Sequence, residues 1–378
     1  MHLENRIVVS PLGQFMADES GNATDWHLMH LGNLAVSGSG LLITEAVAVE
    51  PRGANTTNYL GLYSDANEQA LKRVIDFCRG VAPIKIGIQL HHVGRKGSVT
   101  KPWEKPAEIG VAQGGWPLIS ASNTPYPGRK NPIEVPDEAG LARIKNLFVE
   151  STRRAVRIGF DLIELHAAHG YLLHSFLSPL TNFRQDRYGG DLEGRMRFPL
   201  EVYRAIREAW PEEQPIGVRI SATDWIDGGW TIDDSVAFSR ELKALGCDYV
   251  VASTGGLSRE QKITVGPAYQ VPFAERIRRE TGIVTMAVGL LHEPKLAESV
   301  LVEGKADLIA IGRGMMADPR WPWRAAHMLG ANMRYPAPYA RCHPSLMRRD
   351  IFEPTHEAAV EILRNSRDSV MPAKAGIQ

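Results

Sequence analysis

Three side chains that can donate hydrogen bonds or protons lie close together in the sequence: His166, His169 and Tyr171. They complete or directly follow the apolar run Asp161–His166, which is short enough to be a strand buried on both faces. In parallel α/β proteins, ligands bind at the carboxyl ends of the strands. Two imidazoles three residues apart can both point at one oxygen atom, and a phenol beyond them can reach the neighbouring carbon. The spacing therefore indicates a site that activates a carbonyl compound at its oxygen and protonates it nearby.

The same His-x-x-His spacing is also typical of structural pairs and of metal sites. A zinc site needs a third ligand at a matching strand end, and His91 and His92 close another apolar run. Tyr171 has no role in a zinc site, which favours the carbonyl interpretation. The spacing alone leaves both interpretations open.

The elements that must position these residues follow a regular alternation. Eight short, apolar, β-branched runs predict strands over Arg6–Ser10, Leu41–Ala46, Lys85–His91, Asp161–His166, Ile216–Ser221, Tyr249–Ser253, Val284–Val288 and Asp307–Ile311. Segments of helical period predict helices over Asp25–Gly38, Ala66–Gly80, Asp137–Ile158, Leu192–Ala209, Thr231–Leu245, Val271–Glu280, Glu293–Val302 and Met315–Met328. Eightfold alternation predicts an α/β fold, a single (β/α)8 TIM barrel. A doubly wound sheet is the alternative, but no GxGxxG motif follows an early strand.

One long insertion interrupts the alternation after the third strand. Residues 93–136 are rich in Pro, Gly and Trp and have little periodicity. Because a loop of this length is usually functional, we predict a cap over the barrel mouth that contains a short hairpin. The barrel is predicted to span residues 1–342. Residues 343–378 are predicted to form a C-terminal extension, with an amphipathic helix over Pro354–Arg367 and a frayed end over Asp368–Gln378.

The composition excludes several classes of protein. The 378 residues include 43 Lys plus Arg and 43 Asp plus Glu, so no net field attracts nucleic acid or an anionic membrane. The three cysteines, Cys78, Cys247 and Cys342, have no CxxC spacing, which favours a reducing compartment over disulfides or a metal cluster. The N-terminus lacks the apolar core of a signal peptide, and no run approaches the roughly 20 apolar residues of a membrane helix. We therefore expect a cytoplasmic protein with a small-molecule partner.

The residues after the other predicted strands indicate a phosphate and a flavin. Gly289 and Gly312 follow the last two strands and Arg313 comes next, where barrels commonly bind phosphate. Gln89 on the third strand can pair with the amide-like edge of a pyrimidine ring. Arg219 on the fifth can stabilise negative charge on a reduced flavin, although a strand-end salt bridge explains this Arg equally well. One phosphate with these two side chains suits flavin mononucleotide, FMN.

Several motifs resemble the old yellow enzyme family, in particular its bacterial thermophile-type and redox-sensing branch of ene-reductases. They are HAAHGYLLHSFLSPLTNFRQDRYGG, GIQLHHVGRK, VRISATDW, AYQVPFAERIR and ADLIAIGRGMMADP, and the resemblance covers about Asn5 to Arg341. It implies FMN bound without a covalent bond, reduced by NADPH or NADH and reoxidised by an activated alkene.

The resemblance also implies a role for individual residues. His166 and His169 would hold the substrate's carbonyl or other electron-withdrawing group, and Tyr171 would protonate Cα while flavin N5 delivers hydride to Cβ. The cofactor would be held by Ser10, Pro11, Leu12, Ala46, Gln89, Arg219, Thr254, Gly255, Gly289, Gly312 and Arg313. Arg341 matches an arginine that reaches into the neighbouring subunit's substrate site, which implies a homodimer or a dimer of dimers.

The chain also departs from the family's pattern near the substrate. Gly13 stands where this branch usually has a cysteine, and Phe15 stands where a tyrosine is expected. Asp191 and Gly194 replace a serine and an asparagine at the start of a predicted helix. The first two changes bear on redox potential and substrate preference.

Three other functions stay open beside the ene-reductase. A reductase or monooxygenase acting on acyl-CoA thioesters would need a basic entrance, for which Arg95, Arg129 and Lys130 are candidates. A redox-impaired flavoprotein that binds FMN and phenols is favoured by Gly13. A zinc-dependent barrel hydrolase leaves Gln89, Arg219 and the phosphate loops unexplained.

Overall fold

The computed structural model describes residues 1–343, and these form the predicted closed barrel of eight parallel strands. Around the barrel the strands follow the order β1-β10-β9-β8-β7-β6-β3-β2, and two further short strands lie outside it. The strands are β1 Ile7–Val9, β2 Leu41–Ala48, β3 Lys85–His91, β4 Leu118–Ile119, β5 Ile133–Glu134, β6 Leu162–Ala167, β7 Ile216–Ser221, β8 Tyr249–Ser253, β9 Val284–Ala287 and β10 Leu308–Ile311. The (β/α)8 prediction is confirmed, and each barrel strand lies within two residues of its predicted bounds.

The helices are α1 Asp25–Ala35, α2 Asp65–Val81, α3 Glu138–Ile158, α4 Leu172–Leu177, α5 Leu192–Ala209, α6 Ile232–Ala244, α7 Val271–Thr281, α8 Pro294–Val302, α9 Arg313–Ala317 and α10 Trp321–Met328. The prediction of one helix over Met315–Met328 is wrong, because Pro319 falls inside it and cannot supply a helical backbone donor. Helix α4 was not predicted; it begins directly after Tyr171. Asp191, the unusual residue at the start of α5, caps that helix by accepting from Gly194 N–H.

The barrel interior and the layer between barrel and helices are packed with apolar side chains. A cluster of Val8, Leu41, Ile43, Leu162, Tyr249, Val251, Met286, Val288 and Ala310 fills the interior. Burying a side chain of this size stabilises the fold by about 1.5–3 kcal/mol. The interior cluster draws chiefly on residues at the start or middle of the strands, which leaves the carboxyl ends free for polar residues.

The capping segment, residues 93–136, lies against the carboxyl ends of the strands. An antiparallel bridge joins Val99 to Glu108, whereas β4 and β5 pair in parallel. The Arg95 guanidinium donates to the carbonyl of Thr124, within the segment, and to the carbonyl of Leu257, in the loop after β8. The cap is therefore tied to the loop that follows β8.

The described chain ends with a 3-10 turn, Ala337–Cys342. The predicted helix over Pro354–Arg367 and the predicted frayed end lie outside the described residues. No helix among residues 1–343 is long and apolar enough to cross a bilayer.

Candidate active site

The carboxyl end of β6 brings the three predicted catalytic residues together. The ring centroids of His166 and His169 lie 5.0 Å apart, and the Tyr171 ring lies 5.0 Å from His166 and 6.3 Å from His169. His169 and Gly170 have left-handed backbone angles, with φ of 60° and 72°. These two residues turn the chain sharply from the strand into α4, so that Tyr171 faces back toward His166.

The two histidines form a directional hydrogen-bonded chain. The Ala168 N–H donates to Nδ1 of His166, which leaves the ring proton on Nε2, and this atom lies 3.2 Å from Nδ1 of His169. Nε2 of His169 in turn lies 2.7 Å from Oγ of Ser253. Burial, with the neighbouring cations and imidazoles, holds the pKa of both rings well below the ordinary value, so both are neutral at pH 7. The rings therefore contact each other rather than pointing at one common oxygen.

Tyr171 is a protonated phenol in this site. Burial raises the pKa of Tyr171, and a hydrogen bond from the Asn55 side chain opposes that rise. The ammonium of Lys96 lies over the Tyr171 ring, 5.1 Å from its centroid, and His91 meets the same ring edge-on at 4.5 Å. Protonated Lys96 thus places positive charge beside the phenol, whereas burial holds the pKa of His91 well below its ordinary value and keeps that ring neutral. The arrangement suits a residue that gives up a proton and becomes transiently negative.

Lys96 also joins the loops on either side of the site. Its Nζ donates to the carbonyl of His169 at 2.9 Å and to the carbonyl of Gly256 at 2.7 Å. Burial, together with the positive charges of Arg95 and Arg129, lowers the pKa of Lys96 from 10.5 to about 7. The charge of this lysine is therefore sensitive to pH near neutrality.

A second polar group lies in the barrel mouth between β3, β6 and β7. Glu164 is fully buried and accepts from Nε2 of Gln89 at 2.6 Å, while Arg219 donates to Oγ of Ser10 at 2.9 Å. Burial raises the pKa of Glu164, against the attraction of Arg219. Because Glu164 binds the amide nitrogen of Gln89, the amide oxygen of Gln89 is left for another donor. Nε of Arg219 is buried and has no hydrogen-bond partner among residues 1–343.

The loops after β9 and β10 have the features of a phosphate site. Gly289 has φ of 109°, which favours glycine, and a Cβ there would lie 3.1 Å from the Gln270 side chain. A Cβ at Gly312 would lie 3.1 Å from Leu12. Arg313 is exposed at the start of α9. Glycine backbone in two adjacent loops, with the exposed Arg313 side chain next to it, suits an anionic group.

Taken together, these residues fit FMN. The unpartnered Nε of Arg219 suits a flavin carbonyl, the amide oxygen of Gln89 suits a ring N–H, and the backbone N–H groups of the Gly289 and Gly312 loops suit phosphate oxygens. The other predicted cofactor residues line the same mouth: Ser10, Pro11, Leu12, Ala46, Thr254 and Gly255. Thr254 donates to Gln270, and Gly255 is left-handed with φ of 66°.

Gly13 does not have a backbone angle reserved for glycine. Its Cβ would lie 3.0 Å from Cζ of Phe15, so the Phe15 ring takes the space that a side chain at position 13 would need. Phe15 itself has φ of 55°, and its ring centroid lies 5.8 Å from that of Tyr59 and 6.3 Å from that of Trp103. The position expected to hold a cysteine is therefore covered by an aromatic wall.

Arg341 is exposed on the C-terminal 3-10 turn. That turn borders an apolar groove of about 1430 Å³ whose lining includes Arg6 and Ile84, which precede β1 and β3. The groove thus lies toward the amino ends of the strands, opposite the histidines. The prediction that Arg341 serves a neighbouring subunit stays a prediction.

Sequence reasoning missed four residues of the site: Asn55, His91, Lys96 and Glu164. His91 was considered only as a zinc ligand, yet it is two residues from Gln89 on β3 and so projects to the same side of the strand. Glu164 is an acidic residue inside an apolar strand, which is a detectable signal because an unpaired buried charge is costly. Asn55 lies in a loop with no signal in its spacing, whereas Lys96 ends a 3-10 turn, Gly94–Lys96, and is the last residue of the motif GIQLHHVGRK, where it was given no role.

Two alternatives are affected by the geometry. Among residues 1–343, no group of three potential ligands is arranged to hold a metal ion. Arg95, a candidate for an acyl-CoA entrance, is buried and donates to backbone carbonyls of residues 124, 125 and 257. Its charge is therefore not presented at the surface.

Comparison with known proteins gives a consistent result. Residues 1–332 match the NADH:flavin oxidoreductase / NADH oxidase family. An NADPH dehydrogenase of Geobacillus thermodenitrificans is 42% identical over 342 residues, covering 90% of this chain and 94% of that protein. An NADH:flavin oxidoreductase of Gibberella zeae is 38% identical over 348 residues, covering 87% of this chain and 84% of that protein.

Solved structures resemble the fold over most of the chain. Morphinone reductase matches with a TM-score of 0.71 at 26% identity and covers 89% of both chains. A 2-naphthoyl-CoA reductase matches with a TM-score of 0.76 at 22% identity, over 87% of this chain and 50% of its own. At that identity the second likeness concerns the fold alone.

Proposed function

The chain belongs to the NADH:flavin oxidoreductase / NADH oxidase family, as an old yellow enzyme-type flavin oxidoreductase, and we propose that it is an ene-reductase. Its cofactor is FMN and its reductant is NADPH or NADH. The proposed substrates are small molecules whose C=C bond is activated by a carbonyl, nitro or similar group. The observation that carries the proposal is a buried, protonated phenol, Tyr171, beside two neutral imidazoles at the end of β6.

The residues of the barrel mouth would hold the cofactor. Gln89 and Arg219 would bind the polar edge of the flavin ring, with Ser10, Pro11, Leu12, Ala46, Thr254 and Gly255 around it. Gly289, Gly312 and Arg313 would bind the phosphate. The chemistry supplied by bound FMN is hydride transfer from the nicotinamide to the substrate.

His166 and His169 would bind the oxygen of the activating group. Each neutral ring has one N–H, and these N–H groups face His169 Nδ1 and Ser253 Oγ. Substrate binding would exchange these contacts for hydrogen bonds to the substrate oxygen, whose negative charge grows during reduction. Because the site is buried, such donors stabilise the developing charge more than they would in water.

Tyr171 would give its proton to the carbon next to the activating group. At neutral pH the phenol is protonated, since its pKa is raised by burial. The phenolate that remains would be stabilised by Asn55 and by the ammonium of Lys96 over the ring. A well-placed acid of this kind accelerates a reaction by about 10²–10⁴-fold.

The proposal is tested by anaerobic reoxidation of the NADPH-reduced protein with a panel of acceptors. Enones, maleimides and nitroalkenes should restore the oxidised flavin spectrum. Enoyl thioesters should restore it more slowly, because burial of Arg95 leaves Arg129 and Lys130, of the three candidate basic residues, to bind an anionic carrier. If none of these acceptors reoxidises the flavin, the result would favour the alternative of a redox-impaired flavoprotein, which was suggested by Gly13. Preference for the thioester would favour the acyl-CoA alternative.

We also propose that the protein acts as a cytoplasmic homodimer or dimer of dimers, with Arg341 reaching the neighbouring substrate site. What supports this is the resemblance in sequence and the exposure of Arg341 beside an apolar groove. Light scattering of the purified protein measures the assembly. A monomer with full activity, or an Arg341→Ala variant with an unchanged KM, would contradict this assignment.

A further inference from the structure

The peptide between His169 and Gly170 determines how the site is shaped. Both residues have left-handed φ, an arrangement that costs a non-glycine residue such as His169 about 1–2 kcal/mol. The peptide lies between the imidazole of His169 and the phenol of Tyr171. A change in ψ of His169 or φ of Gly170 that the neighbouring angles do not compensate would move the His169 imidazole relative to the Tyr171 phenol.

Side chains from different elements hold this peptide at both ends. Its carbonyl, that of His169, accepts from Lys96 Nζ at 2.9 Å, and its N–H, that of Gly170, donates to Nδ1 of His174 at 2.8 Å. The preceding N–H, that of His169, donates to Oγ of Ser221 at 2.9 Å. A flipped peptide would turn its carbonyl toward Nδ1 of His174, where two acceptors would face each other.

The direction of this contact depends on where His174 carries its proton. Because Nδ1 accepts from Gly170, the ring proton is on Nε2, and Nε2 lies 3.0 Å from Oδ1 of Asp224. Both side chains are fully buried. A carboxylate beside Nε2 stabilises a proton there and disfavours the tautomer with a proton on Nδ1, which would repel the Gly170 N–H.

Asp224 is itself held as a carboxylate. Its Oδ2 accepts from Oγ of Ser178 and from the Trp230 N–H, each at 2.7 Å. Burial acts to raise the pKa of Asp224, but the attraction of His174 and these hydrogen bonds outweigh it, so the pKa lies below its ordinary value. The loop after β7 thus sets the tautomer of a residue on α4.

We propose that His174, with its tautomer set by Asp224, is a positioning residue that fixes the His169–Gly170 peptide and so the placement of the His169 imidazole and the Tyr171 hydroxyl. His174 and Asp224 are fully buried, so neither is placed to touch the substrate. The inference rests on the proposed function, because it assigns the positioned groups to oxygen binding and proton transfer.

Two substitutions separate the two contacts of His174. In His174→Asn the amide oxygen falls near the place of Nδ1 and can still accept from Gly170, while the contact with Asp224 is lost. In His174→Gln the amide reaches the place of Nε2 and keeps the contact with Asp224, while the acceptor for Gly170 is lost. A purely structural role would make the two variants similar in flavin content and ligand affinity.

The measured quantity is the affinity of the FMN-loaded protein for 4-chlorophenol. Binding is monitored through the long-wavelength charge-transfer band, whose intensity is normalised to the bound flavin. We expect His174→Asn to stay within about threefold of the unmodified protein and His174→Gln to bind about ten- to a hundredfold more weakly, the effect of one lost buried hydrogen bond. Equal affinities for all three proteins, or equal losses in both variants, would overturn the inference.

Two further measurements keep the outcome clear. Nitrogen-15 spectra of the histidine-labelled, unmodified protein should assign the His174 proton to Nε2, and a proton on Nδ1 would overturn the inference even if neither variant folds. If the unmodified protein binds FMN but shows no phenol band, the proposed function fails. If it shows the band and the variants do not differ, only the positioning role fails.

Discussion

Tyr171→Phe removes one hydroxyl and little else. The phenylalanine ring fills the same volume, and Lys96 Nζ and the His91 ring still lie beside it. Flavin content and reduction by NADPH should therefore stay within about twofold. Reoxidation by a weakly activated enone should slow by about 10²–10⁴-fold, the worth of a placed acid, which is about 2.7–5.4 kcal/mol of barrier. Nitroalkenes should be affected less, because their anionic product is stable before protonation.

Anaerobic stopped-flow absorbance measures the two half-reactions separately. The matched control is Tyr59→Phe, which also removes a buried phenol hydroxyl from the site; the Tyr59 ring lies 5.7 Å from His91 and 5.8 Å from Phe15. The control should leave the ratio of the two rates unchanged. If Tyr171→Phe slows both half-reactions equally, or if Tyr59→Phe reproduces its effect, then Tyr171 is a packing residue and not the acid.

Three further predictions follow from the cofactor site, the lysine and the aromatic wall. Arg313→Ala should weaken FMN binding to the apoprotein by about ten- to a hundredfold, the loss of one charge-assisted contact; fluorescence titration measures it, and an unchanged affinity would contradict the phosphate assignment. Lys96 should lose its charge as pH rises through about 7, the value to which burial and Arg95 lower its pKa, so enone reoxidation should slow above that pH. Lys96→Met should abolish this pH dependence. A pH profile of the variant identical to that of the unmodified protein would refute the role of the Lys96 charge. Gly13→Cys should lower the free energy of unfolding by about 1–3 kcal/mol, because its Cβ meets the Phe15 ring at 3.0 Å. Adding Phe15→Leu to that variant should restore part of the loss. A denaturation midpoint unaffected by Gly13→Cys would show that the Phe15 ring moves aside at no cost.

The barrel was predictable because strands buried on both faces are short apolar runs with helical segments between them. The histidine pair and Tyr171 were predictable because all three lie at one strand end. Their mutual contact was not predictable, since it depends on the left-handed turn at His169 and on Ser253 from β8. The expectation that both rings point at one oxygen stays a prediction; in the structure Nε2 of His166 lies 3.2 Å from Nδ1 of His169.

Residues that connect different elements could not be predicted from the sequence for a similar reason. Lys96 contacts His169 and Gly256 only because the barrel closes and brings three loops together. From the sequence, Gly13 differs from the expected cysteine only by lacking a side chain. The fold shows that the Phe15 ring lies over this position. Spacing along the chain identifies groups on one strand end, whereas contacts between strand ends depend on the closed barrel.

The most direct test of ene-reduction is a single turnover with 2-cyclohexenone. The FMN-loaded protein is reduced with one equivalent of NADPH without oxygen, mixed with the enone, and both the flavin spectrum and the products are measured. We predict full recovery of oxidised flavin and one equivalent of cyclohexanone per flavin, with no allylic alcohol. Recovery of the spectrum only on admission of oxygen, or reduction at the carbonyl in place of the C=C bond, would contradict the proposed reaction.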